Sequence, residues 1–186
     1  MHRISLPLIA VLLMLGCQDT QPQPPAVDIW LASAQGNLGA IRQHLAAGTD
    51  VNAQEPYNGG TPLMLAALTG QTSVAEMLIE NGAELDMKNN DGATALLIAA
   101  FFGHPETLRL LIGKGADVNV RNNEGQTPLD TVAGPWSPEL KGIYSAIADA
   151  LKMEVDLERV KTMRPVVAEI LREHGGKTAD DLAGSA

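Results

Sequence analysis

The chain has a single cysteine, Cys17, which excludes an internal disulfide. Aromatic residues make up only 3% of the 186 residues: two Trp, two Tyr and two Phe. Each ring that does occur therefore carries weight in any binding energy. Positive charge is also scarce. Lys and Arg number 13 against 22 Asp and Glu, a net charge of −9. Phosphate backbones are gripped by an excess of Lys and Arg, so this balance argues against a nucleic-acid partner. It is compatible with a basic protein partner. No apolar run reaches the roughly 20 residues of a membrane-spanning helix. Beyond His2, the three remaining His (His44, His104 and His174) lie in three different segments, with no second ligand at metal-site spacing. Gly-rich phosphate loops and nucleophile motifs are also missing. The expectation is no enzyme, no cofactor and no metal.

What is present starts at the N-terminus. His2 and Arg3 precede an apolar run, Ile4 to Leu15, of signal-peptide length. It ends in Met14-Leu15-Gly16-Cys17, which resembles the lipobox of bacterial lipoproteins. The resemblance implies cleavage after residue 16 and lipidation of Cys17. An ordinary cleaved signal and an uncleaved anchor are the alternatives. The Pro-rich stretch that follows reads as a tether over 17–26. Gln18, in place of the Asp that resembles an inner-membrane retention signal, favours the outer membrane. Processing would leave 12 basic and 22 acidic residues, a charge of −10. The expected location is the periplasm-facing cell envelope, with membrane contact only through the lipid.

The remainder repeats. Thr61-Pro62-Leu63, Thr94-Ala95-Leu96 and Thr127-Pro128-Leu129 recur every 33 residues. Small pairs follow each: Ala66-Ala67, Ala99-Ala100 and Val132-Ala133. Then come Gly70 and Gly103, an apolar stretch, and Gly82-Ala83-Glu84-Leu85-Asp86 or Gly115-Ala116-Asp117-Val118-Asn119. Thr suits a helix cap, Pro the first helical position, Ala a close helix crossing and Gly a left-handed helix end. Repeats of this period bury a continuous core only when stacked.

These motifs resemble the ankyrin repeat. The resemblance implies an all-α solenoid of helix-turn-helix units with short β-turn tips, over 27–186. Units fall near 27–57, 58–90, 91–123 and 124–186. In the last, the second helix resumes at Arg164-Pro165, so about 27 residues (134–163) are inserted. Ser137-Pro138 starts a helix whose apolar face would be Ile143, Ile147 and Leu151. Asp156-Leu157-Glu158 would start a second short helix. The insertion either covers the open end of the stack or forms one wall of a binding groove. His44 and Arg172 replace interior apolar residues, as fits units with water on their far side. Thr178 to Asp181 would start one more short turn.

Ankyrin domains hold partners on the turn tips and the exposed ends of the first helices. The resemblance therefore implies a monomeric module for a protein partner. The candidate binding residues are Tyr57, Asn58, Leu68, Thr69, Asn90, Asp91, Phe101, Phe102, Asn123, Glu124 and Trp136. The aromatic ones would be free hot spots, unless the insertion folds back over Phe101, Phe102 and Trp136. Three functional expectations follow: a periplasmic scaffold or accessory factor of the stress-related kind, an immunity protein neutralising a toxin, or, more remotely, an envelope hydrolase.

Overall fold

In the computed structural model, which describes residues 24–151 and 153–184, ten helices and no strand occur among the described residues. Cys17, the signal segment and the start of the tether lie outside them.

Thr61, Thr94 and Thr127 each take the N-cap position in extended backbone and accept a bond from the backbone N–H three residues on. They open α3 (Pro62–Thr69), α5 (Ala95–Phe101) and α7 (Pro128–Ala133). Asp28 does the same for α1 (Ile29–Ala34). Each of the first three is followed by a second helix: α2 (Leu38–Ala46), α4 (Thr72–Glu80) and α6 (Pro105–Gly113). The first helices pack side by side in one layer and the second helices in another. The Ala pairs at 66–67 and 99–100 are fully buried between neighbours, where a larger side chain would push the layers apart. Leu63, Leu78, Leu96, Leu108 and Leu111 fill the shared core.

Glycine is required where one unit meets the next. Gly70 and Gly103 have φ of +70° and +67°. A Cβ on Gly70 would collide with His104 Nδ1, and one on Gly103 would lie 3.1 Å from Met163 Cβ. Asparagines tie the opposite edge. Asn52 donates to Gly82 O and accepts from Glu84 N. Asn119 does the same with Gly175 O and Lys177 N. Gly175 thus takes up the repeat register after the insertion.

The insertion holds α8 (Pro138–Leu151), and two expectations about it are corrected. The helix buries Tyr144, flanked by Leu140 and Ile147, whereas Ile143 is 50% exposed. Leu151's side chain lies outside the described residues. Second, there is no separate short helix before Pro165. A single helix, α9 (Leu157–Glu173), runs through it. Pro165 has no N–H to offer Lys161 O, so this turn lacks one ladder bond. Tertiary anchors hold the extra turns. Val160 is fully buried, and Arg159 donates to Gly103 O at 2.8 Å and Phe102 O at 3.2 Å. Arg164, only 4% exposed, donates to Thr131 O and Gly134 O at the end of α7.

The ends differ from each other. His44 is not water-facing as expected. It is buried, with Nε2 donating to Val27 O (2.7 Å) and Nδ1 hydrogen-bonded to the Thr49 hydroxyl (3.1 Å), because the segment before α1 folds over it. Trp30 donates to Ala53 O and holds the first tip. Arg172 is exposed. At Thr178 a capping box with Asp181 opens α10 (Ala179–Ala183).

Candidate protein-binding site

The three turn tips are built alike. Asn89 and Asn122 each accept two backbone N–H groups of their own tip, from Asp91 and Ala93 and from Glu124 and Gln126. Glu55 does this work in the first tip, accepting from Tyr57, Asn58 and Gly60. Burial acts to raise the Glu55 carboxyl, but the three N–H donors outweigh it and hold it below the ordinary range. Four steps separate Glu55 from Gly59, whereas three separate Asn89 from Gly92 and Asn122 from Gly125. The extra residue makes room for Tyr57, which is 93% exposed.

The tips also bond to one another. Asn90 N donates to Asn58 O (2.9 Å), and Asn123 N donates to Asp91 O (3.0 Å). Asn58 and Asn123 side chains donate to Asp91 Oδ2 and Asn90 O. Asn58, Asn90, Asp91, Asn123 and Glu124 border water, yet much of their polar capacity locks neighbouring tips together. The result is a stiff row with Tyr57 at one end and the Asp91 and Glu124 carboxylates along it.

The expectation that Phe101, Phe102 and Trp136 form a free aromatic surface is corrected. The insertion folds back over them. Phe102 is 5% exposed and Tyr144 fully buried. The Tyr144 ring stacks on Phe101 at 4.4 Å and on Trp136 at 5.6 Å, and meets Phe102 edge-on at 5.9 Å. Its hydroxyl donates to Phe101 O at 2.5 Å. The physical reason is area: rings of this size left in water favour any available apolar cover, and α8 is tethered beside them. Acidic substitutions at Phe101 and Phe102 would therefore disrupt the insertion rather than probe an open face.

Leu68 and Thr69 keep partial exposure. With Phe102, His104, Arg159 and the 153–156 linker they line a groove of about 380 Å³. The linker is its far wall. His104 is the N-cap residue of α6, but its side chain makes no cap bond. Its Nε2 instead reaches Leu68 O of the preceding unit at 2.9 Å and must donate to it. Tyr144 makes the matching bond to Phe101 O, 33 residues after Leu68. Burial, reinforced by the Arg159 charge, pushes the His104 imidazole down to about 4. A His held neutral in the fold takes up a proton more readily when unfolded. Its contribution is thus complete above about pH 6.5 and is lost as pH falls towards 4. His104→Gln, which copies Gln71 one unit earlier, is expected to flatten that stretch of the stability–pH curve. Urea unfolding at pH 4.5 and 7.5 checks this: wild type should lose on the order of 2 kcal/mol more than the variant between those two values.

Further partly exposed apolar positions on the first helices were not legible as such. Leu31 is 47% exposed, and Leu65 and Ile98 are partly buried at the matching place in the next two units. Their signal was an apolar residue recurring at one non-signature position. No cluster able to hold a metal occurs among the described residues, and none of their helices is long and apolar enough to cross a membrane.

Stacked helix pairs with hydrogen-bonded turn tips define a stacked-repeat protein. The chain belongs to the ankyrin-repeat family: the family model for three-copy ankyrin repeats matches residues 29–122 and 81–133. Such repeats are protein–protein interaction modules. The chain is 35% identical over 72 residues to the human Arf-GAP with coiled-coil, ANK repeat and PH domain-containing protein 2, covering 38% of this chain and 9% of that protein. It is 30% identical over 64 residues to an ankyrin repeat-containing protein of Schizosaccharomyces pombe, covering 34% and 30%. It is 35% identical over 73 residues to dauer abnormal formation protein 25 of Caenorhabditis elegans, covering 39% and 19%. The chain thus spans less than a third of the length of each of these relatives.

Proposed function

We propose that this protein is a non-enzymatic interaction module tethered by Cys17 in the bacterial cell envelope, where it holds a periplasmic protein as a scaffold or accessory factor. The partner lies along the tip row and enters the groove beside Leu68 and Thr69. The observation that carries this reading is Tyr57, a ring left 93% exposed on a tip lengthened by one residue and stiffened by Glu55. An exposed aromatic on a hydrogen-bonded tip is a strong anchor because its large apolar area is removed from water only on binding. The Asp91 and Glu124 carboxylates alongside it favour a basic partner surface. A basic toxin would satisfy the same chemistry, so an immunity protein is the second reading.

The test is a photo-crosslinking residue placed at position 57, with position 76 on the exposed side of α4 as control. An adduct from 57 alone is expected, and its identity separates scaffold from immunity protein. Tyr57→Ala should weaken that partner about tenfold or more while shifting stability by less than about 0.5 kcal/mol. Equal adducts at both positions would remove the tip row from the interface. Cys17→Ser should release the protein from the membrane fraction, and retention there would remove the lipid anchor.

A further inference from the structure

At the end of the stack, basic side chains gather around one pocket. Lys161, Arg164, Pro165 and Arg172 share one face of α9, because they recur at three- and four-residue steps. With Trp136 and the last turn of α7 they line a pocket of about 250 Å³. Arg172 stands where the interior units carry Ile79 and Ile112, residues that pack against the common core. The pocket therefore opens between the last helices of the two layers, at the end of the stack.

Three cations around one pocket run against a net charge of −9. They are also poorly neutralised. The salt bridge formed among the described residues is Lys161–Glu158, at 3.9 Å with side chains 49% and 86% exposed. Such a surface pair holds Lys161 weakly. Neither Arg164 nor Arg172 meets a carboxylate among the described residues. The Arg164 guanidinium donates to Thr131 O, Gly134 O and, at 3.4 Å, the Tyr144 hydroxyl, all uncharged partners. Trp136, stacked on Tyr144, adds an apolar floor.

We propose that this pocket is a second interaction site that takes a carboxylate-bearing segment of a partner protein. Arg172 and Lys161 donate to the carboxylate oxygens, and the indole covers the methylenes next to them. A nucleic acid would extend its charge well beyond the pocket, over the acidic remainder of the surface, and be repelled. A segment with one or two carboxylates keeps its charge inside the pocket. Acidic residues more than roughly 8 Å away are screened at physiological salt, and Glu158, 3.9 Å from Lys161, is the near acid that an incoming carboxylate displaces. The tip row and this pocket thus have opposite signs and fit different partner surfaces.

The experiment is fluorescence anisotropy of labelled tetraglutamate with the full chain, beside tetralysine and a four-phosphate thymidine oligonucleotide. Saturable binding of tetraglutamate is expected, weakened at least tenfold by Lys161→Glu combined with Arg172→Glu. Both residues are exposed, and an unchanged circular dichroism spectrum confirms that the fold survives. Absence of saturable tetraglutamate binding overturns the proposal, as does a folded double variant that binds undiminished. Tighter binding of the oligonucleotide overturns the choice of a protein segment. Self-association that the double variant abolishes would assign the pocket to a second copy and overturn the partner.

Discussion

Tyr144→Ala is expected to remove about 3–5 kcal/mol of stability, the usual cost of deleting a buried ring. Tyr144 is fully buried and touches three other rings, Phe101, Phe102 and Trp136. It also satisfies Phe101 O, which otherwise sits at the end of α5 without that donor. The loss should be local. In a stacked-repeat protein each unit is stabilised mainly by its neighbours, so the first units can stay folded when the insertion detaches. The two tryptophans report on opposite ends: Trp30 lies in α1, and Trp136 lies beside Tyr144. In the variant, Trp136 emission should change at lower urea than helical circular dichroism, whereas wild type should show coincident transitions. Tyr144→Phe keeps the stacking and loses only the hydroxyl bond, about 1 kcal/mol. If the alanine variant unfolds in one step at the wild-type midpoint, the insertion is not held by this ring.

The second large effect is at Arg164. A buried guanidinium is expensive unless its donors are matched. Here the matching groups are carbonyls at the C-terminal end of α7, the negative end of that helix, in place of a carboxylate. Arg164→Ala leaves Thr131 O and Gly134 O without their donor and opens a void, for an expected loss of about 3 kcal/mol. Arg164→Lys keeps the charge but cannot fork to both carbonyls, so a loss of about 1–2 kcal/mol is expected. Equilibrium urea unfolding measures both, and a loss below about 1 kcal/mol for the alanine variant would mean that α7 ends without this cap. Arg159 caps the preceding unit in the same way, at Phe102 O and Gly103 O. Together the two arginines explain why α9 is longer than α2, α4 and α6 and why it runs through Pro165.

Much of the helical stack was legible because its determinants are local. A Thr cap and its N–H are three residues apart, Pro62 and Pro128 fit the first turn by their own φ, and the Ala pairs mark the crossings. The 33-residue period then places each unit against the next. The insertion was legible as helix, but the side it buries was not. Ile143 and Tyr144 are adjacent, both look apolar, and only the ring has a partner surface waiting. The tips were legible as turns, whereas the extra residue that exposes Tyr57 becomes visible only when Glu55 is aligned with Asn89.

By itself, the sequence determined the helices, their caps and the order of the stack, because those depend on bonds spanning three or four residues repeated at a constant interval. The tertiary structure decided which rings are covered, where His44 and His104 send their nitrogens, and how the insertion closes one end. Those outcomes rest on pairs such as Tyr144 with Phe101 and Arg159 with Gly103, 43 and 56 residues apart. No local preference distinguishes such a partner from water until the stack has brought it within reach.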